Sequence, residues 1–424
     1  MNFSLTKLKN GLGVLTVPIP GMASATVTVW VKTGSRLEEK TTSGISHFLE
    51  HMIFKGSKKR PTSKDIFGDV DAIGGEFNAG TSKDWTNFYI KVRAKNLPKA
   101  FDVLSDMVLN PLLKEEEVQR EKGVIIEELR MHEDTPMIRI SDLFEQLIFS
   151  GNPLGWDIIG SEKSIKNIKR NDFLSYRKTH YYPENMLVTV AGGIGKDSAE
   201  KLVENYFGSM QAVQKSSSFQ KFSSKQSKPQ TMLSDQKKEQ AHFILGFQGN
   251  GRGYPGRYTE AVLSVILGVS ASSRLFIEVR ERRGLAYAVR TSTERYNDTG
   301  YMATQAGVDI KRVEEAIKVT LEEHYALASK KKPISKAELS KAKEFLKGHL
   351  ALALEDTKDV TGYFGEQALF LKEIITPEEA FKRVDAVSVD EVVAEANNLF
   401  RPERLNLAII GPYGDENRFR KLLK

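Results

Sequence analysis

Two histidines and a glutamate crowd into one short stretch, Gly44-Ile45-Ser46-His47-Phe48-Leu49-Glu50-His51-Met52-Ile53-Phe54. Read with a helical period, His47 and His51 stand at i and i+4, so both imidazoles leave the same face, one above the other. Glu50 follows His47 by three residues and lies at the edge of that face. Imidazoles at this separation can close on one ion. Zn²⁺ accepts neutral imidazole nitrogen, and a catalytic zinc commonly takes three protein ligands and keeps a fourth position for water. A carboxylate beside that water can take its proton. The plainer reading is a pair of partly buried histidines on an amphipathic helix.

A third ligand is needed, and a carboxylate is a common choice. The charged stretch 114–133 reads as one long helix on which Glu121, Ile125, Glu128 and His132 share a face. Glu115, Glu116 and Glu117 fit a solvated helix face. Glu121 and Glu128 are different, because they share their stripe with apolar Ile125. Periodicity does not choose between Glu127 and Glu128. The two point about 100° apart, so at most one can aim at an ion.

Several elements must position these residues. Residues 11–33 read as a hairpin, with Gly13–Pro18 and the alternating run Ala25–Val31 as its strands. The histidine helix spans about 44–55. Another helix starts after Thr62-Ser63 and stops at Gly74-Gly75. Residues 76–81 and 86–92 form a second hairpin. Leu97, Phe101, Leu104 and Val108 line a helix closed by Asn110-Pro111, and further helices are expected at 141–149 and 170–179, before a strand at 186–192. Residues 211–231, rich in Ser, Lys and Gln, have linker composition. Beyond them the chain repeats: Pro183–Gly192 is echoed by Pro402–Gly411, and at the same offset Ile165–Phe173 falls on Val384–Val392. A repeat of this length is a duplicated domain. The expected division is 1–210, a linker at 211–231, and 232–424. The second copy has no histidine between His242 and His324, so one copy carries metal and the other does not.

The chain has 424 residues, of which 40% are hydrophobic and 28% charged, the balance of a globular protein of two or three domains. No apolar run reaches membrane-spanning length, and the first ten residues lack the apolar core of a signal peptide. With no cysteine, the chain fits a reducing compartment, and a cytoplasmic location without membrane contact is expected. A net charge of +7 is small for this length and does not argue for nucleic acid. Gly251-Arg252-Gly253-Tyr254-Pro255-Gly256 satisfies G-x-G-x-x-G, but no βαβ context surrounds it, and it reads as a turn. Arg280-Glu281-Arg282-Arg283 lacks interleaved aromatics and reads as a local basic face. His180, His242, His324 and His349 have no partner at ligand spacing. His132, four residues after Glu128, is a candidate only for a supporting contact. Trp30, Trp85 and Trp156 are expected in cores.

The set His47-x-x-Glu50-His51 followed after 76 residues by Glu128 resembles the pitrilysin-type zinc metallopeptidases, which include mitochondrial processing peptidase and insulin-degrading enzyme. His47-Phe48-Leu49-Glu50-His51-Met52-Ile53-Phe54-Lys55-Gly56, Asn78-Ala79-Gly80-Thr81 and Arg120-Glu121-Lys122-Gly123-Val124-Ile125-Ile126-Glu127-Glu128 all agree with that family. So does Ser273–Tyr287, which contains Arg280 and Tyr287. The resemblance implies an α+β fold of two homologous domains, each an antiparallel-rich sheet packed with helices, arranged as a clamshell. It implies one Zn²⁺ per chain on His47, His51 and Glu128, with Glu50 as general base and Glu121 as a second glutamate of the catalytic helix. Asn78 and Ala79 would lie on an edge strand that pairs with substrate, and Arg280 and Tyr287 would reach the substrate from the other domain. The implied activity is endoproteolysis of peptides or unfolded polypeptide in a closed chamber, by an oligopeptidase or processing peptidase. The implied assembly is a homodimer, or a heterodimer with a related subunit. The rival reading is a non-catalytic core subunit of a larger assembly, although such subunits typically lose one or more of the four metal-site residues, all present here.

Overall fold

The computed structural model describes residues 1–212, 218–329 and 331–423. The chain forms two compact units: the first comprises Met1–Arg130, Trp156–Gln220 and Leu352–Pro377, and the second Met131–Gly155, Lys221–Ala351 and Glu378–Lys424.

The first unit is built on six strands, β1 (Ser4–Lys7), β2 (Gly13–Pro18), β3 (Ser24–Val31), β4 (Glu76–Thr81), β5 (Thr86–Arg93) and β6 (Met186–Gly192), in the order β1-β2-β6-β3-β5-β4. The expected 11–33 hairpin is therefore corrected. β2 and β3 do not pair; β6 lies between them, parallel to β2 and antiparallel to β3. Every residue of β6 is buried, and a strand apolar on both faces belongs in the middle of a sheet. The 76–92 hairpin forms as read, and β4 is left as the sheet edge. Alternate residues of β3 and β5, among them Val27, Val29, Phe88 and Ile90, point into a core completed by the histidine helix (Ile45–Ile53) and the helix Leu97–Leu109.

The second unit carries β7 (Gln230–Asp235), β8 (Gln240–Asn250), β9 (Ala286–Arg295), β10 (Thr299–Asp309) and β11 (Leu405–Gly411) in the order β7-β11-β8-β10-β9. Omitting β1, this is the topology of the first sheet strand for strand, down to the one parallel pair, β7 with β11. The duplication read from Pro183–Gly192 and Pro402–Gly411 corresponds to β6 and β11, each entered through a short 3₁₀ turn. Gly251–Gly256 is a turn ahead of the helix Arg257–Ser264.

The units differ from the expected cut at 210 and 232 by two exchanged segments. The helix Pro136–Ile148 buries Ile140, Leu143, Phe144 and Ile148 in a cluster with Ile244, Ala408 and Ile410 of the second sheet. The helix Thr357–Phe370 lies on the first sheet instead. Thr357 and Thr361 hydrogen-bond Thr26 and Thr28 of β3, each at 2.8 Å. A four-residue helical step of about 6 Å nearly matches a two-residue strand step of about 6.6 Å, so the two rows stay in register. Gly365 continues the row, where a Cβ would come within 2.6 Å of Trp30 Nε1.

The polar stretch 211–231 is not wholly linker, since β7 begins at Gln230. The Phe219 ring lies 3.8 Å from the buried Arg36 guanidinium, and residues 213–217, including Ser216 and Ser217, fall outside the described residues. Trp30 is buried, whereas Trp85 and Trp156 are only partly so, a correction to their expected core placement. No described helix is long and apolar enough to cross a membrane.

Candidate metal centre

The histidine helix is fixed at its start by backbone geometry. Gly44 has φ +94°, and a Cβ there would meet Ile159 O at 2.2 Å, so only glycine permits the crossing. The helix's free N–H groups need acceptors. The buried Glu38 carboxylate supplies them, accepting from Gly44 N (2.7 Å) and Ser46 N (2.8 Å). Burial pushes the Glu38 carboxyl up to about 7, against the downward pull of those hydrogen bonds. Ile45, Phe48, Leu49, Met52 and Ile53 face the core. That leaves His47, Glu50 and His51 on the opposite, half-buried stripe.

The glutamate helix (Glu115–Asp134) buries Val118, Glu121, Ile125 and Leu129. Glu127 is 70% exposed and pairs with Arg130 at 2.6 Å. Glu128 turns the other way. Its Oε1 stands 3.6 Å from His47 Nε2 and its Oε2 3.5 Å from His51 Nε2. Ligand atoms of His47, His51 and Glu128 all lie within 4.8 Å of one another. In tetrahedral zinc coordination with bonds of about 2.05 Å, neighbouring ligand atoms are about 3.4 Å apart. Two imidazoles and a carboxylate at these separations fit such an ion in both chemistry and spacing.

Glu121 acts on this group through His51. Its Oε1 is 2.9 Å from His51 Nδ1, and its Oε2 takes an ion pair from Lys55 Nζ at 2.7 Å. Nδ1–H donated to a carboxylate fixes the tautomer that leaves Nε2 free to ligate. Burial alone would raise the Glu121 pKa, but the His51 and Lys55 hydrogen bonds outweigh it and hold the carboxyl below its ordinary value. Burial likewise works to lower the His51 pKa, and the Glu121 hydrogen bond with the nearby Glu128 and Glu50 charges reverses that, for a net rise. Glu121→Gln is expected to weaken zinc binding roughly 10- to 100-fold without unfolding the protein, as measured by competition with a chromophoric chelator.

Glu50 lies beside the ligand set. Thr81, the last residue of β4, donates its hydroxyl to Glu50 Oε2 at 2.5 Å. Burial pushes the Glu50 carboxyl above its ordinary value, with the Thr81 bond and His51 opposing and Glu128 adding to the rise. Lys55 and Thr81 have no role in the sequence reading. Lys55 was detectable as the next i+4 step after His51, and Thr81 as the residue two after Ala79, on its face of the strand.

Asn78 and Ala79 lie on β4, the sheet edge, where Ala79 N–H donates to Asn78 Oδ1 at 2.8 Å. Arg280 and Tyr287 belong to the second unit. The Arg280 guanidinium stacks over the Phe276 and Tyr287 rings at 4.7 and 5.3 Å. Tyr287 is 81% exposed. Ala286 and Ala288 pair with consecutive residues Val308 and Gly307, so Tyr287 is the extra residue of a β-bulge. Bulges of this kind re-aim a side chain out of its sheet. Among the described residues no other histidine joins a metal-binding group: His180, His242 and His324 are buried, His132 is half-buried, and His349 stacks on Phe345.

Residues 14–162 match the family model described as insulinase (peptidase family M16), and residues 167–346 match that of the peptidase M16 inactive domain. An uncharacterized zinc protease of Bacillus subtilis is 35% identical over 407 residues, covering 96% of this chain and 98% of that protein. One of Mycobacterium tuberculosis is 35% identical over 421 residues, covering 99% and 95%. Among solved structures, a protease from Helicobacter pylori superposes with a TM-score of 0.90 at 26% identity, covering 97% of this chain and all of that one. A peptidase M16 inactive domain from Pseudomonas fluorescens reaches the same TM-score at 18% identity, a likeness of fold.

Proposed function

Because the chain belongs to the insulinase family of metallopeptidases, peptidase family M16, we propose that it is a zinc-dependent endopeptidase acting on peptides or unfolded polypeptide segments. The observation that carries this reading is the convergence of His47, His51 and Glu128 with Glu50 at their side.

His47, His51 and Glu128 would hold one zinc ion per chain. When bound, the ion supplies a Lewis acid for the scissile carbonyl and lowers the pKa of a water to about 7. Glu50 takes the proton of the attacking water and delivers it to the leaving amine. Thr81 holds one Glu50 oxygen and leaves the other for that transfer. Glu121 and Lys55 keep His51 in its ligating tautomer. An extended peptide adds to the free edge of β4, bound chiefly by main-chain hydrogen bonds, and Asn78 releases the Ala79 N–H to it. Arg280 and Tyr287 bind the substrate, and Tyr287 donates to the carbonyl oxygen as charge develops on it.

Tyr287→Phe is therefore expected to lower turnover about 100-fold with zinc content unchanged, read from steady-state kinetics and metal analysis of one sample. The function itself is tested by offering the zinc-loaded protein an unstructured peptide and a stably folded protein containing the same segment. Cleavage of the peptide alone supports the reading; cleavage of neither contradicts it.

A further inference from the structure

Between the end of β3 and the histidine helix the chain makes a short 3₁₀ turn, Ser35–Leu37, and the residues around it are bonded in two directions. In one direction they are tied to the β4–β5 turn that follows Thr81. Ser35 N–H and Arg36 N–H donate to Ser82 O and Lys83 O, each at 3.1 Å, and Arg36 forms a buried ion pair with Asp84 at 3.0 Å. The approach is so close that a Cβ on Gly34 would stand 2.1 Å from Ser82 O. In the other direction, Glu38 accepts the Gly44 and Ser46 N–H groups at the head of the histidine helix. Residues 33–38 therefore hold both the helix that carries His47, Glu50 and His51 and the turn that ends the β4 edge.

A second tie closes the ring of contacts. The Tyr176 hydroxyl, from the helix Arg170–His180, lies 2.7 Å from Ser46 Oγ and 2.7 Å from Thr33 Oγ1. It joins the head of the histidine helix to the start of the same stretch. Lys83 is buried in the β4–β5 turn, and its charge favours the ionised form of Glu38. A carboxylate suits this position by shape. Its two oxygens take two N–H groups two residues apart, whereas a serine or asparagine cap offers a single acceptor atom. Gly44, at the cap position, has no side chain to supply one. Burying the charge opposes stability. What the two bonds do is fix the pitch and rotation of the first helical turn, and His47 follows Ser46 directly. A shift of that turn moves His47 Nε2 against Glu128 and Glu50 against Thr81.

We propose that Glu38 is a positioning residue of the metal centre: through the backbone of the first helical turn it sets His47, His51 and Glu50 against the β4 strand. The proposal rests on the peptidase reading and on zinc at His47, His51 and Glu128. Glu38 touches neither the ion nor the substrate. It acts by holding the ligand pair and the general base in one alignment, so its loss is felt in the geometry of the ion and in turnover more than in substrate affinity.

The test compares the full-length protein with Glu38→Gln, whose amide nitrogen would face one of the two N–H donors, and with Leu104→Ala, a truncation in the same core away from this stretch. Zinc affinity, the visible spectrum of the Co²⁺-substituted protein, Tm and steady-state kinetics are read at about pH 8, where Glu38, pushed up to about 7, is largely ionised. Glu38→Gln should weaken zinc binding about tenfold, shift the Co²⁺ bands, and lower kcat about tenfold with KM within about twofold. Leu104→Ala should lower Tm and change none of the other three. When Glu38→Gln is combined with Thr81→Val, the losses in kcat should fall short of their product, because both act on one alignment. If Glu38→Gln does not fold, Glu38→Asp is read in its place, since it keeps the charge but is one carbon too short to reach both donors. A variant that loses Tm alone, with the parent's zinc affinity and Co²⁺ bands, would reduce Glu38 to a helix cap. Either that result or fully multiplicative losses with Thr81→Val overturns the proposal and leaves the peptidase reading standing. A parent that takes up neither zinc nor Co²⁺ overturns both.

Discussion

Glu50→Gln is expected to keep its zinc and to lose peptide hydrolysis by about 10²- to 10⁴-fold. The amide has the shape of the carboxylate and can still meet the Thr81 hydroxyl, so the ligand set beside it is undisturbed. It has no basic oxygen, and the contribution of a positioned general base is of that size. Metal analysis and single-turnover kinetics on the same preparation check both halves of the statement. Near parental turnover in the zinc-loaded variant would remove Glu50 from the chemistry.

Glu128→Gln and Glu127→Gln, neighbours on one helix, are expected to differ sharply. Among the described residues, Glu128 is the one carboxylate grouped with both histidines, its oxygens 3.5 and 3.6 Å from their Nε2 atoms. Replacing it leaves two neutral imidazoles and a weak amide donor, and zinc affinity should fall by about 100-fold or more. Glu127 faces solvent beside Arg130, in an exposed pair of small energetic worth, and its replacement should leave affinity within about twofold. Competition with a chelator of known affinity separates the two variants. Equal losses would mean that the ion, if bound, sits elsewhere.

The histidine half of the candidate metal centre is legible in the sequence because it is local. His47, Glu50 and His51 are related by the helical period alone, and the same period places Glu121, Ile125 and Glu128 on one stripe. Periodicity could not rank Glu127 against Glu128, because their difference lies in what the helix packs against. The β4–β5 hairpin is equally local. The insertion of β6 between β2 and β3 is not, since its partners lie more than 150 residues earlier in the chain.

The exchanged helices were hidden for a chemical reason. Thr357–Phe370 meets β3 through Thr357, Thr361 and Gly365, a row of hydroxyls and a glycine that no search for an apolar stripe selects. Its partners Thr26 and Thr28 look like the solvent side of a half-buried strand, yet both are buried beneath it. A cut in the polar stretch near residue 220 would strip this helix from the first sheet and uncover Trp30. Tyr287 shows the same limit on a smaller scale: its bulge depends on register with β10, which its own neighbours do not specify.

Titration of zinc into metal-free protein, with hydrolysis of an unstructured peptide followed at each addition, bears most directly on the central claim. Activity is expected to be absent at the start, to rise in proportion to added zinc and to break at one equivalent per chain, while Glu128→Gln shows no such rise at the same concentrations. Hydrolysis that persists without metal, or a rise that Glu128→Gln reproduces unchanged, would contradict a zinc peptidase centred on His47, His51 and Glu128.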